Sequence, residues 1–350
     1  MTQRNLVLDQ TKGVLIFLVV LGHFANWQQE LCMCGGAYSA CNQLLSAFYN
    51  AILSFHMPTF ILISGYFSKS IMNIRFKEFD AILYPFVVIQ IIDILLARYT
   101  DFGYSHGGNI LYPIYQNWYI LALFFWRLLL PICNKIPKKV MLGISVVVVF
   151  LSGFIFVSVQ SGLFLAIYRT LYFLPFFLMG AYLPDFNRIG EQLEKYKVYA
   201  IVLFVISFIV IFALSIGKYY SYIWYAYVPQ GGFSKLGWNY IIRHMGFISS
   251  FFIMLSFLTI CYSYFSKHSY AFLSLLGKNT MPIYLFHGII IFIVVPCIIL
   301  KVGMLMNTLL CVIFSMLICW FFSRERVGYI LSPLMKLSSL FGLFQKKYRE

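Results

Sequence analysis

The stretch Leu8–His23, LDQTKGVLIFLVVLGH, predicts a helix with a cation near its start, Lys12, and an imidazole at its end, His23. These two residues are eleven positions apart. At 100° per residue this spacing is about 20° from three whole turns, so both side chains share one stripe, about 16 Å apart along the axis. That distance is about half the hydrocarbon thickness of a bilayer. An imidazole at such a depth is costly unless it has a partner or a function.

The composition of the whole chain is typical of a membrane protein. Of its 350 residues, 61% are hydrophobic and only 11% are charged, and the mean hydropathy is +0.84. A soluble domain with this composition could not cover its surface with polar groups. The first apolar stretch shows no clear small-residue cleavage site, so we interpret it as a retained helix and not as a signal peptide.

The apolar segments predict an all-α, polytopic membrane protein with about ten transmembrane helices. We expect these helices at residues 10–27, 43–67, 80–97, 114–133, 139–158, 164–183, 198–217, 238–262, 280–300 and 303–323. They would form one transmembrane domain over residues 1–327. A basic amphipathic tail over residues 328–350 would then lie along the inner membrane surface.

The net charge of +15 is distributed in a way that predicts the topology. Of the 26 Lys and Arg residues, 19 fall on one alternate set of connections that includes both termini, and six fall on the opposite set. By the positive-inside rule, both termini are expected in the cytoplasm, with the protein in the cell membrane. Short basic clusters beside apolar runs indicate anionic membrane lipid as a partner and argue against nucleic acid.

Two features of the expected outward loops have open interpretations. The segment 218–237 is dense in aromatic residues and forms either an interfacial belt or a stacking surface for a sugar. Cys32, Cys34 and Cys41 fall together in the first such loop. Two of them could pair in an oxidising compartment. A metal site there is less favoured, because the only further potential ligand near these cysteines is Glu30.

Polar side chains within apolar segments are the strongest guides to a functional site. Besides the first helix, they are His56, Ser64 with Gly65, Asn117 to Tyr119 with Arg127, Arg169, and Tyr284 with His287. Each His could also be a hydrogen-bonded interior residue, and an Arg in a span implies a cavity, an acidic partner or an anionic ligand. No carboxylate relay, phosphate-binding glycine loop or metal motif accompanies them. The pattern favours acyl transfer by a buried general base, with cations for an anionic donor.

These polar residues lie in five segments that together resemble the acyltransferase 3 family of integral-membrane acyltransferases, which modify surface glycans. Within it, the resemblance is greatest to the fucose 4-O-acetyltransferase-like branch. The segments are LDQTKGVLIFLVVLGH, FHMPTFILISGYFSK, NWYILALFFWRLL, YRTLYFLPFFLMGAYL and LGKNTMPIYLFHG. They occur in the family's order over nearly the whole chain. The family's N-terminal pattern is an Arg, ten residues and a His. Here Lys12 stands in the Arg position and keeps the charge without the bidentate fork.

The resemblance implies an O-acyltransferase, and specifically an O-acetyltransferase, that uses cytoplasmic acetyl-CoA as its donor substrate and no metal. Its acceptor would be a sugar hydroxyl of a lipid-linked or surface polysaccharide. His23 would be the general base or would carry the acyl group as an acyl-imidazole. The expected catalytic residues are His23 and Asp9. The expected donor-binding residues are Lys12, Ser64, Arg75, Lys77 and Arg127. The expected acceptor-binding residues are Trp118, Tyr119, Arg169, Arg243, His244 and His287.

Two other classes of function remain open on these residues. A transporter or flippase for a glycan intermediate would use the same aromatic outer loop and the same cationic interior. A non-catalytic sensor or scaffold would show no turnover of labelled acetyl-CoA. The sequence also leaves open the acyl group, the sugar, the linkage position and whether copies of the chain form a homo-oligomer.

Overall fold

The computed structural model of the chain describes residues 5–34, 40–71, 76–99, 109–155, 164–216, 233–297 and 304–341. Over these ranges the backbone is helical and contains no β-strand. In chain order the α-helices are α1 (Leu6–Cys34), α2 (Ala40–Ser68), α3 (Phe76–Glu78), α4 (Tyr84–Tyr99), α5 (Asn117–Cys133), α6 (Lys138–Ile155), α7 (Ile167–Tyr182), α8 (Phe186–Glu194), α9 (Lys197–Ile216), α10 (Phe233–Phe265), α11 (Ala271–Lys278), α12 (Thr280–Cys297), α13 (Met304–Phe322), α14 (Glu325–Ile330) and α15 (Ser332–Met335). A π-helical segment, Phe79–Leu83, joins α3 to α4, and a 3₁₀ turn, Phe164–Ala166, precedes α7.

Each of the ten predicted apolar segments coincides with a helix, namely α1, α2, α4 to α7, α9, α10, α12 and α13. Within the described ranges, six helices are long and apolar enough to cross a membrane, and the bent pair α11 and α12 would make a seventh. Helix α5 is a shorter apolar helix, as is the part of α13 from Thr308. The chain is therefore an all-helical, multi-pass membrane protein. The count of ten spans and the cytoplasmic location of both termini stay predictions.

The described residues divide into two units. The first unit holds α1, helix α2 through Ile63, and α8 to α13. The second unit holds α2 from Ser64 onward, α3 to α7, and the C-terminal helices α14 and α15. The predicted border between a membrane domain (1–327) and a tail (328–350) is a different kind of division and stays a prediction.

Two glycines in the first unit set how closely α1 and α11 approach each other. A Cβ atom on Gly13 would overlap the backbone of Leu273, and a Cβ on Gly277 would overlap the backbone of Asp9. Only glycine allows backbones to come this close. The N-terminal end of α1 is held in turn by Asn5, whose Oδ1 accepts the Leu8 backbone N–H at 3.1 Å in an N-cap arrangement.

Helices α11 and α12 meet at a bend of 80°. Asn279 closes α11, because its backbone N–H bonds the carbonyls of Leu275 and Leu276 at 3.2 and 3.1 Å. Helix α12 then begins at Thr280, with Pro282 in its first turn, where the missing N–H of proline costs nothing. The bend lets α11 run beside the start of α1 and lets α12 reach the level of His23.

The second unit is built around the contact of α5 with α7. Trp126 is fully buried, and its Nε1 donates to the Thr170 carbonyl at 2.8 Å while its ring stacks on Phe177 at 5.3 Å between centroids. The end of α2 joins this contact through Gly65, where a Cβ would overlap the Phe177 backbone. The segment that carries Ser64 is thereby held directly against α7.

The described part of the C-terminal tail is bonded to the second unit. Tyr84 Oη donates to the Pro333 carbonyl at 2.8 Å. The Asp80 carboxylate accepts the backbone N–H and the hydroxyl of Ser338, each at 2.8 Å. Ser338, which follows α15, is therefore bonded to the π-helical segment.

Candidate active site

Two histidines of the first unit form a hydrogen-bonded pair. The Nδ1 atom of His23 lies 2.7 Å from the Nε2 atom of His287, and the two rings stack at 4.9 Å between centroids with an interplanar angle of 10°. His287 is fully buried on α12, whereas His23 on α1 is partly exposed. The accessible member of the pair is thus the one that the sequence predicts to be catalytic.

The backbone determines which nitrogen of each ring carries the proton. His287 Nδ1 lies 3.1 Å from the carbonyl of Ile283, and since a carbonyl can only accept, Nδ1 must be the protonated nitrogen. In neutral His287 the Nε2 atom is then an acceptor, so it receives the Nδ1–H of His23. The lone pair of neutral His23 consequently lies on Nε2. A base that is oriented by a second group in this way is the arrangement that nucleophilic and general-base catalysis requires.

The other end of the stripe on α1 holds the predicted pair Asp9 and Lys12. Lys12 Nζ lies 3.0 Å from an Asp9 carboxylate oxygen, and the Lys12 side chain is 16% exposed while that of Asp9 is 3% exposed. Next to them, Gln10 is buried and connects α1 to the segment before α11. Its Oε1 accepts the Tyr270 backbone N–H at 2.6 Å, and its Nε2 donates to the His268 carbonyl at 3.4 Å. Lys12 is therefore oriented by Asp9 on a firmly anchored helix start.

In the second unit, a polar track joins the end of α2 to α5. Ser64 Oγ and Tyr119 Oη are 2.6 Å apart. Two turns further along α5, Arg127 Nε donates to Ser68 Oγ at 3.0 Å, and Nη1 bonds Glu78 Oε2 at 2.8 Å. Of the three situations expected for an Arg in a span, the acidic partner is the one observed. An anionic donor at Arg127 would have to compete with Glu78.

A second polar cluster lies where α5 begins. The Nδ2 atom of Asn117 donates to Gln90 Oε1 at 2.9 Å and to Asp93 Oδ2 at 2.8 Å. Gln90 also accepts the Ile114 backbone N–H at 3.0 Å and donates to the Tyr112 carbonyl at 2.8 Å. These bonds tie the segment before α5 to α4, and they bring the intramembrane carboxylate of Asp93 beside the start of α5.

The predicted acceptor residues differ in their surroundings. Trp118 and Arg169 are partly exposed and contact each other, with the Arg169 Cζ atom 5.1 Å from the Trp118 ring centroid. Tyr119 and His244 are buried. His56, which we considered as a polar guide, is 1% exposed, and its Nδ1 bonds the carbonyl of Ile52 four residues earlier at 2.8 Å. It has the bonding of an interior histidine.

For the remaining predicted residues, the structure gives few or no contacts. Lys77 is exposed on α3. Arg75 lies outside the described residues, and the side chain of Arg243 is likewise not described. The same is true of the side chains of Cys32, Cys34 and Cys41 and of the aromatic segment 218–237. The roles predicted for these residues stay predictions. The predicted absence of a metal also stays a prediction. Among the residues described, no group of three His, Cys, Asp or Glu side chains could hold a metal ion.

The structure brings together residues that sequence reasoning considered separately or overlooked. His287 contacts His23 directly, and its predicted role at the acceptor stays a prediction. Glu78, the partner of Arg127, was not considered, because it precedes the apolar segment. The sequence could have predicted part of the cluster at the start of α5. Gln90 and Asp93 are polar residues three apart in an apolar segment, so they share one face of a helix and can bind the same partner, Asn117.

Comparison with known proteins gives a match over nearly the whole chain. A family model described as an acyltransferase domain matches residues 5–324, which is nearly the whole chain. The nodulation protein NolL of Sinorhizobium fredii (strain NBRC 101917 / NGR234) is 41% identical over 66 residues. That match spans 19% of this chain and 16% of the length of NolL. No solved structure shows a significant match to the chain. The extent of the family match shows that this membrane protein belongs to the acyltransferase 3 family.

Proposed function

We propose that this protein is an O-acyltransferase of the cell membrane that transfers an acetyl group from acyl-CoA to a hydroxyl group of a glycan. His23 is the base, and His287 is the positioning residue that orients it. The observation that carries the proposal is the 2.7 Å hydrogen bond between the two rings, together with the bond from His287 to the Ile283 carbonyl. These contacts support the proposal, because neutral His23 in this tautomer has its lone pair on Nε2, the atom proposed to accept a hydroxyl proton.

The chemical step follows from this tautomer. The acceptor oxygen attacks the thioester carbonyl carbon as His23 Nε2 takes the hydroxyl proton, so a C–O bond forms and the C–S bond breaks. The resulting imidazolium returns its proton to the departing sulfur, which leaves as the free thiol of CoA. The bond to His287 stabilises the imidazolium that exists between these events, because a neutral Nε2 acceptor faces its Nδ1–H. In the covalent alternative, Nε2 itself attacks the thioester carbonyl carbon, so a C–N bond forms as the C–S bond breaks and CoA leaves as the thiolate. The acceptor oxygen then attacks the acyl carbon, the C–N bond breaks, and the hydroxyl proton passes to the CoA thiolate.

The donor is proposed to bind at the cytoplasmic side through cations. Lys12 has the position that the family resemblance gives to a donor-binding Arg, and Arg75, Lys77 and Arg127 are the further cations proposed for donor binding. The ion pair with Asp9 supports a positioning role for that carboxylate, because it directs Lys12 Nζ from its own helix at i, i+3. Replacement of Lys12 by Gln should therefore raise the KM for acyl-CoA about 10-fold, the approximate value of a charged hydrogen bond. Replacement by Arg should not raise it.

Mass spectrometry of glycans from a deletion strain tests the proposed function. The strain is complemented with the wild-type gene or with the His23→Ala variant. Acetylated glycan should be absent without the gene, present with the wild type and lost with His23→Ala, while the amount of exported polymer stays constant. A fall in polymer export with intact acetylation would favour a transporter instead. Acetylation at the wild-type level in His23→Ala would refute the role of His23.

The covalent route has its own measurement. The purified protein in proteoliposomes is incubated with labelled acetyl-CoA and no acceptor, and is then denatured. Label that stays on the wild-type chain and is absent from His23→Ala would establish the acyl-imidazole. Release of CoA only in the presence of acceptor, without label on the chain, would establish general-base transfer.

A further inference from the structure

The second unit presents an arginine that forms no ion pair with any carboxylate among the described residues. Arg169 lies in the first turn of α7, within a segment long and apolar enough to cross a membrane. Over the described residues, the ion pairs join Lys12 to Asp9, Arg127 to Glu78 and Lys267 to Glu194, and none involves Arg169. A charged side chain in a span without an acidic partner indicates a ligand of opposite charge.

Aromatic rings hold this arginine in place. Its guanidinium lies over the ring of Trp118 at 5.1 Å, and Trp118 stacks on Phe173 at 5.5 Å between centroids with an interplanar angle of 24°. Phe173 is one turn from Arg169 on the same helix, so Trp118 contacts two side chains of α7. A guanidinium that stacks on an aromatic face keeps its edge N–H groups available for planar, bidentate bonds to a carboxylate or a phosphate.

The backbone that carries this stack is held in an unusual conformation. Leu165 and Ala166, just before α7, have φ angles of 50° and 53°, and Tyr115, just before α5, has a φ of 50°. Residues other than glycine rarely adopt this left-handed region, and such strained positions cluster at functional sites. The two segments are joined by a 2.7 Å bond from the Leu165 N–H to the Leu111 carbonyl.

We infer that Arg169 and Trp118 form an anion subsite that binds a carboxylate or phosphate group of the acceptor. This inference rests on the proposed function, because it assigns the charged group to the molecule that is acylated. Trp118 supplies an aromatic face for a sugar ring, and Arg169 bonds the anionic oxygens. Two sources share this chemistry, namely the carboxylate of an acidic sugar and the phosphate of a lipid-linked sugar.

Equilibrium binding to the full chain in lipid nanodiscs tests the subsite. Four probes are compared in two matched pairs: methyl glucuronide against methyl glucoside, and a polyprenyl phosphate against the corresponding polyprenol. At least one charged probe should bind about 10- to 100-fold more tightly than its neutral partner, which is the range expected for a charge-assisted, bidentate contact. The pair that shows the preference identifies the source of the anion.

Variants then assign the preference to this arginine. Arg169→Gln should remove it, and Arg169→Lys should retain only part of it, since Lys lacks the planar fork. A matched control is Arg324→Gln, because the Arg324 Cζ atom also lies over a tryptophan, Trp320, at 4.5 Å, but on an exposed part of the first unit. That variant should keep the full preference.

Two results would overturn the inference. One is a wild-type protein that binds each charged probe no more tightly than its neutral partner, and the other is an unchanged preference in both Arg169 variants. The His23→Ala protein separates this inference from the proposed function, because it should lose acyl transfer and still prefer the charged probe. Persistent acyl transfer in that protein would refute the role of His23 and leave the subsite standing.

Discussion

Replacement of His287 by asparagine or glutamine tests the orientation of His23 most directly. In the His287→Asn variant, the new amide would lie near the former Nδ1 position and could still donate to the Ile283 carbonyl, but it would be too short to accept from His23. In the His287→Gln variant, the longer side chain would place its terminal oxygen near the former Nε2 position, where it could still accept that proton. Each variant therefore removes a different one of the two hydrogen bonds of His287.

The contacts in the wild-type structure give the expected magnitude. In His287→Asn, the Nδ1–H of His23 loses an acceptor at 2.7 Å in a partly buried place. Loss of a partner by a buried donor costs about 1–3 kcal/mol, which corresponds to about 5- to 150-fold in rate if the transition state bears the cost. We expect kcat to fall about 10- to 100-fold in His287→Asn and less than about 10-fold in His287→Gln. The KM values should change little, because the lost bond supports the base rather than substrate binding.

A matched control is available in the first unit. His56 is also almost fully buried, and its Nδ1 also bonds the carbonyl four residues earlier, so His56→Asn makes the same chemical change away from the pair. Its kcat should be close to that of the wild type. The assay is steady-state release of CoA in proteoliposomes, with thermal unfolding of each variant measured alongside.

One pattern of results would refute the reasoning. If His287→Asn and His56→Asn have the same kcat, His287 has a packing role only.

Combination of His287→Asn with His23→Ala adds a second check. The double variant should be no slower than His23→Ala alone, because an orienting residue has no effect once the base is gone. Additive losses would show that His287 acts independently.

Two further predictions concern contacts that hold the site. Gly277→Ala should lower the unfolding temperature in detergent and reduce acyl transfer, because its Cβ would overlap the Asp9 backbone and overpacking costs about 1–3 kcal/mol. Gly143→Ala, where nothing lies within 4 Å, should stabilise α6 by about 0.5–1 kcal/mol, and equal effects of both variants would contradict the close approach. Glu78→Gln should destabilise the protein by about 3–5 kcal/mol, since it leaves the Arg127 charge without its acidic partner. The double variant Glu78→Leu with Arg127→Met should recover most of that stability, and a double variant as unstable as Glu78→Gln would show that the ion pair itself is needed.

Much of the fold follows from local properties of the sequence. Hydropathy and a 3.6-residue period are readable in any window of about twenty residues, which is why helices occupy all ten predicted segments. The same locality explains the errors at helix ends. Helix α1 begins at Leu6 and not at residue 10, because the side chain of Asn5 caps it. Such a cap adds a turn that apolar periodicity does not report.

The candidate site was predictable only in part. The position of His23 on the same stripe as Lys12 follows from helix geometry, and both lie on the single helix α1. The family resemblance pointed to His23 as the base. The partner of Arg127 was one of three open possibilities, because a lone Arg in a span indicates that something neutralises it without indicating what.

What the sequence alone determined is therefore the kind of protein and the kind of residue on which its chemistry depends: a multi-pass helical chain with an imidazole deep in its first helix. Tertiary structure alone decided that His23 meets His287, a residue 264 positions away. That meeting depends on the 80° bend at Asn279 and on the absence of side chains at Gly13 and Gly277. Neither the angle between two helices nor their closest distance is encoded within one helix. Both result from how backbones and side chains fill the space between helices.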